Sequence, residues 1–166
     1  MSSAHASIFK PAKLLVPIDF SSSSNEALQA AVACAEMFRS EIYLLHIVPM
    51  FPVVPTLDDP TCVWPEEEFL QHARNRADKR LTALAQQYRS QGIETSYSVE
   101  VGDDVVGNIM RIAEREHSGL IVISTHGISG WRPMVFGSIA EKVIKLATCP
   151  LLLLRSQTSD PTAKTK

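Results

Sequence analysis

Cysteine is scarce in this chain: three in 166 residues, at positions 34, 62 and 149, with no Cys-x-x-Cys pair. That pattern speaks against a disulfide framework or a zinc-thiolate site and fits a reducing compartment. No apolar run approaches the roughly 20 residues that span a bilayer. The longest lies around Pro150–Leu154, so no membrane association is expected. The opening MSSAHASIFK lacks a charged start followed by an apolar stretch, so no secretion signal is expected there and a cytoplasmic location is. Neither sign of charge dominates: 16 Lys+Arg against 18 Asp+Glu leave a net charge of −2. A protein held on DNA by bulk electrostatics would be basic, so nucleic acid is not an expected partner. Both the G-x-x-x-x-G-K-[ST] loop and the G-x-G-x-x-G fingerprint are missing, which removes the P-loop NTPases and the dinucleotide enzymes.

What is present is ordinary globular material, with 45% hydrophobic and 20% charged residues. The length suits one domain, expected over residues 9–155, with flexible tails at 1–8 and 156–166. Short apolar runs alternate with stretches of helical period. The runs are Lys13–Ile18, Ile42–Val48, Ile93–Val101, Leu120–Ser124 and Pro150–Leu154. Four are nearly continuous in Val, Ile and Leu, as strands buried on both faces of a parallel sheet must be. The third alternates, with Ile93, Thr95, Tyr97, Val99 and Val101 on one side, and is expected nearer an edge.

Four helices are predicted between them. The first carries Ala27, Ala31, Cys34, Ala35 and Phe38 on one face and has capping-box spacing at Ser23 and Glu26. The second runs from about Glu66 to Tyr88, with Leu70, Ala73, Ala77, Leu81, Leu84 and Tyr88 inward. The third follows Asp103 and turns Val106, Ile109, Met110 and Ala113 inward. The fourth opens at Ser138, pairs Ser138 with Glu141 as a second capping box, and shows Ile139, Ala140, Val143, Ile144 and Ala147. The β-α-β-α-β-α-β-α-β order with right-handed crossovers gives an α/β fold: an open, doubly wound, five-stranded parallel sheet with helices on both faces. The segment from Pro49 to Pro65 holds five prolines and is not helix; its length suits a flap or a functional loop.

Ligands of such sheets bind beyond the carboxyl ends of the strands, where the winding reverses. Two of those ends stand out. Pro17-Ile18-Asp19-Phe20-Ser21 sets a carboxylate at the mouth of the first strand. Ser124-Thr125-His126-Gly127-Ile128-Ser129-Gly130 follows the fourth strand and leads to Gly137-Ser138. Gly127, Gly130 and Gly137 permit close backbone approach, and the start of the fourth helix offers unpaired N–H groups to an anion. A phosphate cradle and a plain loop ended by a good cap weigh about evenly on spacing alone. His126 is placed to contact phosphate or to act as an acid, although a loop histidine more often serves local hydrogen bonding. His46, inside an apolar strand, reads as a satisfied core histidine. Arg74, Arg76, Lys79 and Arg80 share their helix with acidic residues and read as a solvated face.

KLLVPIDFSSSSNEAL, YLLHIVP and STHGISGWRPMVFGSIAEKVIKLATCPLLLLR resemble the universal stress protein family over nearly the whole chain, from about Phe9 to Arg155. The family's nucleotide motif, G-2x-G-9x-G-[ST], reads here Ser124-2x-Gly127-9x-Gly137-Ser138, with serine replacing the first glycine. The resemblance implies a Rossmann-like sheet of strand order 3-2-1-4-5, and therefore two loops that face each other. It implies an ATP-binding stress-response regulator, with ADP or AMP as other nucleotides and Mg2+ as a companion ion left open. It places Asp19 near ribose and adenine, Val48 walling the adenine, Ser124 close to the sugar, and Gly127, Gly137 and Ser138 on the phosphates; with Pro17, His126 and Gly130 these are the expected ligand-holding positions. The resemblance also implies a homodimer through the edge strand Pro150–Leu154. Two other functions stay open: an interaction module of the same fold without nucleotide, favoured by Ser124, and a slow ATP hydrolase. No catalytic residue is assigned, since no general base, arginine finger or second Mg2+ carboxylate is evident.

Overall fold

The computed structural model describes residues 9–50, 66–125 and 138–155. The expectations for the two tails, and for most of the proline-rich Pro49–Pro65 segment, lie outside the described residues. The elements run β1 (Lys13–Pro17), α1 (Ser22–Phe38), β2 (Glu41–Val48), α2 (Glu66–Ser90), β3 (Thr95–Val101), α3 (Val105–Arg115), β4 (Leu120–Ser124), α4 (Ser138–Leu146) and β5 (Leu151–Leu154). All five strands pair in parallel in the order β3-β2-β1-β4-β5. The α/β architecture and strand order therefore agree with expectation, and the alternating strand β3 is an edge.

Parallel pairing demands cover on both faces, because successive side chains point to opposite sides of every central strand. Leu14, Val16, Ile42, Leu44, Leu120 and Val122 point to one side, where they pack with Ala27, Leu28, Ala31 and Ala35 of α1 and Leu81 and Tyr88 of α2. Leu15, Tyr43, Leu45, Ile121 and Ile123 point to the other, against Val106, Ile109, Ile112 and Ala113 of α3 and Val143 of α4. One helix pair covers each face.

Local signals set the element ends, with some differences from the sequence expectation. The hydroxyl of Ser21, not Ser23, caps α1 by accepting the Ser24 N–H, while Ser23 is buried. Of the four adjacent serines, Ser21 has this place because the preceding turn delivers it to the helix start. At α4, the Glu141 carboxylate reaches forward to Lys145 at 2.7 Å instead of back to Ser138. Ile139 and Ile144, expected on the apolar face of α4, are 41% and 40% exposed; Ala140 and Val143 carry the buried face. Ile93 is buried but precedes β3, in the turn where Gly92 takes a φ of 86°. A left-handed residue there lets the chain leave α2 directly toward the sheet edge.

Leu81 is fully buried between α2 and the sheet, so Leu81→Ala is expected to lower unfolding free energy by about 3 kcal/mol in urea denaturation. Met37→Ala, at a position 76% exposed, is expected to stay within about 0.5 kcal/mol of the parent.

Candidate functional site

The winding reverses at β1, which has β2 on one side and β4 on the other. Leu15 lies level with Ile121, so the register carried forward brings Pro17 level with Ile123 and Ile18 level with Ser124. The helices that follow these neighbouring strands, α1 and α4, lie on opposite faces of the sheet, the arrangement that in open α/β sheets places ligands beyond the strand ends.

On the β1 side the turn is fastened at several points. Asp19 Oδ1 accepts the Ser21 N–H at 2.9 Å and the Ser21 hydroxyl at 2.5 Å. Ser21 Oγ in turn accepts the Ser24 N–H at 3.1 Å, so one hydroxyl links the carboxylate to the first turn of α1. Phe20 has a φ of 63°, in the left-handed region that a bulky side chain rarely enters. Its ring packs on His46, centroid to centroid 4.6 Å, and the Arg80 guanidinium lies 3.8 Å from its centroid. His46 Nδ1 stands 2.6 Å from the Ile18 carbonyl oxygen. A carbonyl only accepts, so Nδ1 carries the proton. Burial holds the His46 imidazole below its ordinary pKa of 6.5 and nearby Arg80 adds to that, against the opposing pull of the Ile18 carbonyl and Asp19.

Beside this turn, the exit of β2 is tied to β3 and the turn after it. Val48 is buried, and its carbonyl accepts the Gly102 N–H at 3.0 Å. The Met50 N–H donates to Asp103 Oδ1 at 2.9 Å, while the neighbouring Asp104 caps α3 through the Gly107 N–H. On the β4 side, Ser124 and Thr125 are buried, and the Thr125 N–H donates to the Leu154 carbonyl at 2.8 Å. Ser138 is exposed at the first position of α4. His126, Gly127, Gly130 and Gly137 lie outside the described residues.

Of the expected site residues, Pro17, Asp19 and Val48 come together at the ends of the adjacent strands β1 and β2, and Ser124 ends the other neighbour of β1. His46 is a hydrogen-bonded histidine, as read from sequence, but it sits at the strand ends and not deep in the core. Arg80 and Asp103 were missed as parts of this region, and Phe20, inside the stretch that stood out, was given no role of its own. Arg80 is exposed, as the solvated-face reading expects, and it also stacks on Phe20; it stands three residues from buried Ala77 and next to buried Leu81. That position beside the apolar stripe is the signal that could have found it. Among the described residues no group of three or more His, Cys, Asp and Glu side chains is arranged to hold a metal ion.

A doubly wound parallel sheet with a carboxylate turn at the reversal point defines an α/β protein of the kind that seats ligands at its strand ends. Residues 11–155 match the model of the universal stress protein family, and the chain belongs to that family of stress-response proteins. It is 33% identical to the universal stress protein YxiE of Bacillus subtilis over 86% of this chain and 98% of the relative. It is 31% identical to the universal stress protein MJ0531 of Methanocaldococcus jannaschii, over 86% and 81% of the two chains. Among solved structures, that of MJ0577 superposes with a TM-score of 0.75 at 24% identity, covering 91% of this chain and 99% of the other. The universal stress protein UspA of Lactobacillus plantarum gives a TM-score of 0.72 at 22% identity, covering 86% and 97%. These two likenesses are of fold.

The neutral state of His46 has a measurable consequence. Its folded pKa lies below 6.5, so as pH falls below that value the unfolded chain takes up the proton first and stability declines until the folded pKa is passed. His46→Gln is expected to remove that part of the pH dependence of urea unfolding between pH 7 and 5. Superimposable pH profiles of parent and variant would show His46 protonated equally in both states.

Proposed function

We propose that the chain is a cytoplasmic, ATP-binding regulatory member of its family. The nucleotide would sit between the Asp19 turn and the segment from Ser124 to Ser138. The observation that carries this reading is the strand order: it sets the turn bearing Asp19 beside the exit of β4, whose continuation leads to the amino end of α4. Pro17, Asp19 and Val48 would line the sugar and base, with Ser124 bordering the sugar. His126, Gly127, Gly130, Gly137 and Ser138 would surround the phosphates, where the positive end of α4 favours negative charge. The exposure of Ser138 suits this role, since a phosphate must reach that helix end from solvent. A carboxylate already oriented by Ser21 can accept a sugar hydroxyl proton without first being ordered. ADP or AMP would use the same base and sugar contacts, and Mg2+ would accompany the phosphates. The thiols of Cys34 and Cys149 are both free, which suits the reducing cytoplasm.

Calorimetry with ATP and Mg2+ tests the reading. Binding is expected in the parent, with at least a ten-fold loss in Asp19→Asn, the size of one charged hydrogen bond. Gly127→Val is expected to abolish the heat. Silence of the parent at millimolar ATP would overturn the proposal in favour of a nucleotide-free interaction module.

Assembly as a homodimer through β5 is also proposed. β5 is an edge, all four of its leucines are only half-buried, and Leu146 at the end of the preceding helix is 57% exposed. A bare apolar edge strand invites uncontrolled pairing, and a twin about a two-fold axis satisfies it. Light scattering at micromolar concentration is expected to give the mass of two chains; the mass of one would refute the dimer.

A further inference from the structure

We infer that Arg80 is a positioning residue of the candidate site: by stacking on Phe20, against His46, it holds the left-handed turn that aims the Asp19 carboxylate. The inference rests on the nucleotide reading for its purpose, but its physical basis is independent of any ligand. A phenylalanine at a φ of 63° is in a conformation that the chain does not adopt freely, and it persists only where the surroundings over-determine it. Two groups from separate elements do so here. The Arg80 guanidinium on α2 lies 3.8 Å from the ring centroid, and the His46 imidazole on β2 packs at 4.6 Å. His46 is itself anchored, since its Nδ1–H is held by the carbonyl of Ile18, two residues before Phe20.

The turn is therefore gripped along its whole length: Ile18 by His46, Phe20 by Arg80, and Asp19 by Ser21. Among the described residues Arg80 has no carboxylate within ion-pair distance. Its ordered contact is the aromatic face, a cation–π pair that ties α2 to the turn following β1. Without it, α2 would have no charged hold on the residue that follows Asp19. The Asp19–Ser21–Ser24 chain of bonds would open more often, and the carboxylate would spend less time in its bound-like direction.

Arg80→Met keeps the aliphatic stem and removes the cation; Arg80→Lys restores a charge without the planar fork. In the ligand-free protein, amide exchange followed by NMR is expected to quicken about five-fold at Ser21 and Ser24 in Arg80→Met, with recovery in Arg80→Lys. The Val122 amide in β4 serves as control and is expected to hold its parent rate. By calorimetry, ATP affinity is expected to fall about five-fold in Arg80→Met, with partial rescue in Arg80→Lys. Unchanged exchange at Ser21 and Ser24, or equal quickening at Val122, would overturn the inference whether or not ATP binds. A parent protein that ignores ATP would overturn the nucleotide reading instead, and the exchange rates would still decide what Arg80 does.

Discussion

Strand β1 pairs in parallel on both edges and is covered on both faces, and the remaining architecture depends on that constraint. Parallel neighbours need crossovers, and right-handed crossovers from a central strand lead to opposite faces when they step to opposite sides. The chain that steps from β1 to β2 and β3 lays α1 and α2 on one face, while β4 and β5 are reached with α3 and α4 on the other. The reversal point at the carboxyl ends of β1 and β4 is a consequence of this path, set by the winding before any side chain acts.

The reversal point is useful to a ligand only if its rim is ordered, and here the rim is made largely of main chain. Ile18 offers its carbonyl to His46, Asp19 takes the amide of Ser21, and the amide of Met50 goes to Asp103. Two of these bonds tie a loop residue to another segment, and that of Asp19 closes its own turn. Fixing a backbone residue costs on the order of 1–2 kcal/mol in entropy. Ordering that has already happened in the free protein need not be repeated when a ligand arrives. The left-handed Phe20 stores an opposing cost of similar size, about 1–2 kcal/mol, which its aromatic and cationic neighbours counter.

Much of this was legible in the residues. Continuous Val, Ile and Leu runs marked the buried strands β1, β2 and β4, and the alternation in Thr95–Val101 marked one edge; the equally continuous β5 is the other edge, with its leucines half-buried. Strand order was not carried by spacing; it came with the resemblance, because any order of five parallel strands leaves the same apolar runs. The capping serine of α1 was misassigned, since four adjacent hydroxyls are equivalent until the turn at Phe20 selects Ser21. Periodicity identified Ile139 and Ile144 as apolar positions of α4 but could not say whether anything in the same chain covers them. Arg80 escaped notice for a related reason. Its helix carries charges of both signs, and only the fold brings one of them against the ring of a residue 60 positions earlier.

The opposite end of the sheet is fastened differently. Lys13 opens β1 and lies 3.2 Å from Glu116 and 3.6 Å from Glu41, which opens β2. Arg115 adds a bond to Glu116 at 3.0 Å and another to the Tyr43 hydroxyl at 2.8 Å. Burial pushes the Glu116 carboxyl up, but bonds from Arg115 and Lys13 outweigh it and hold the group below the usual carboxylate range. At the amino ends of the strands, then, charge is matched by charge in a network. The match recurs at Glu100 near the end of β3, 2.9 Å from Arg111 and 3.5 Å from Arg115, whereas at the exit of β1 Asp19 accepts bonds from Ser21 and Arg80 rests on an aromatic ring. Paired charges attract little further charge, whereas a guanidinium stacked on an aromatic ring keeps its field. Along one sheet, ion pairs thus tie the strand openings and the β3 edge to the helices, while hydroxyls, carbonyls and a stacked cation order the turn at the reversal point.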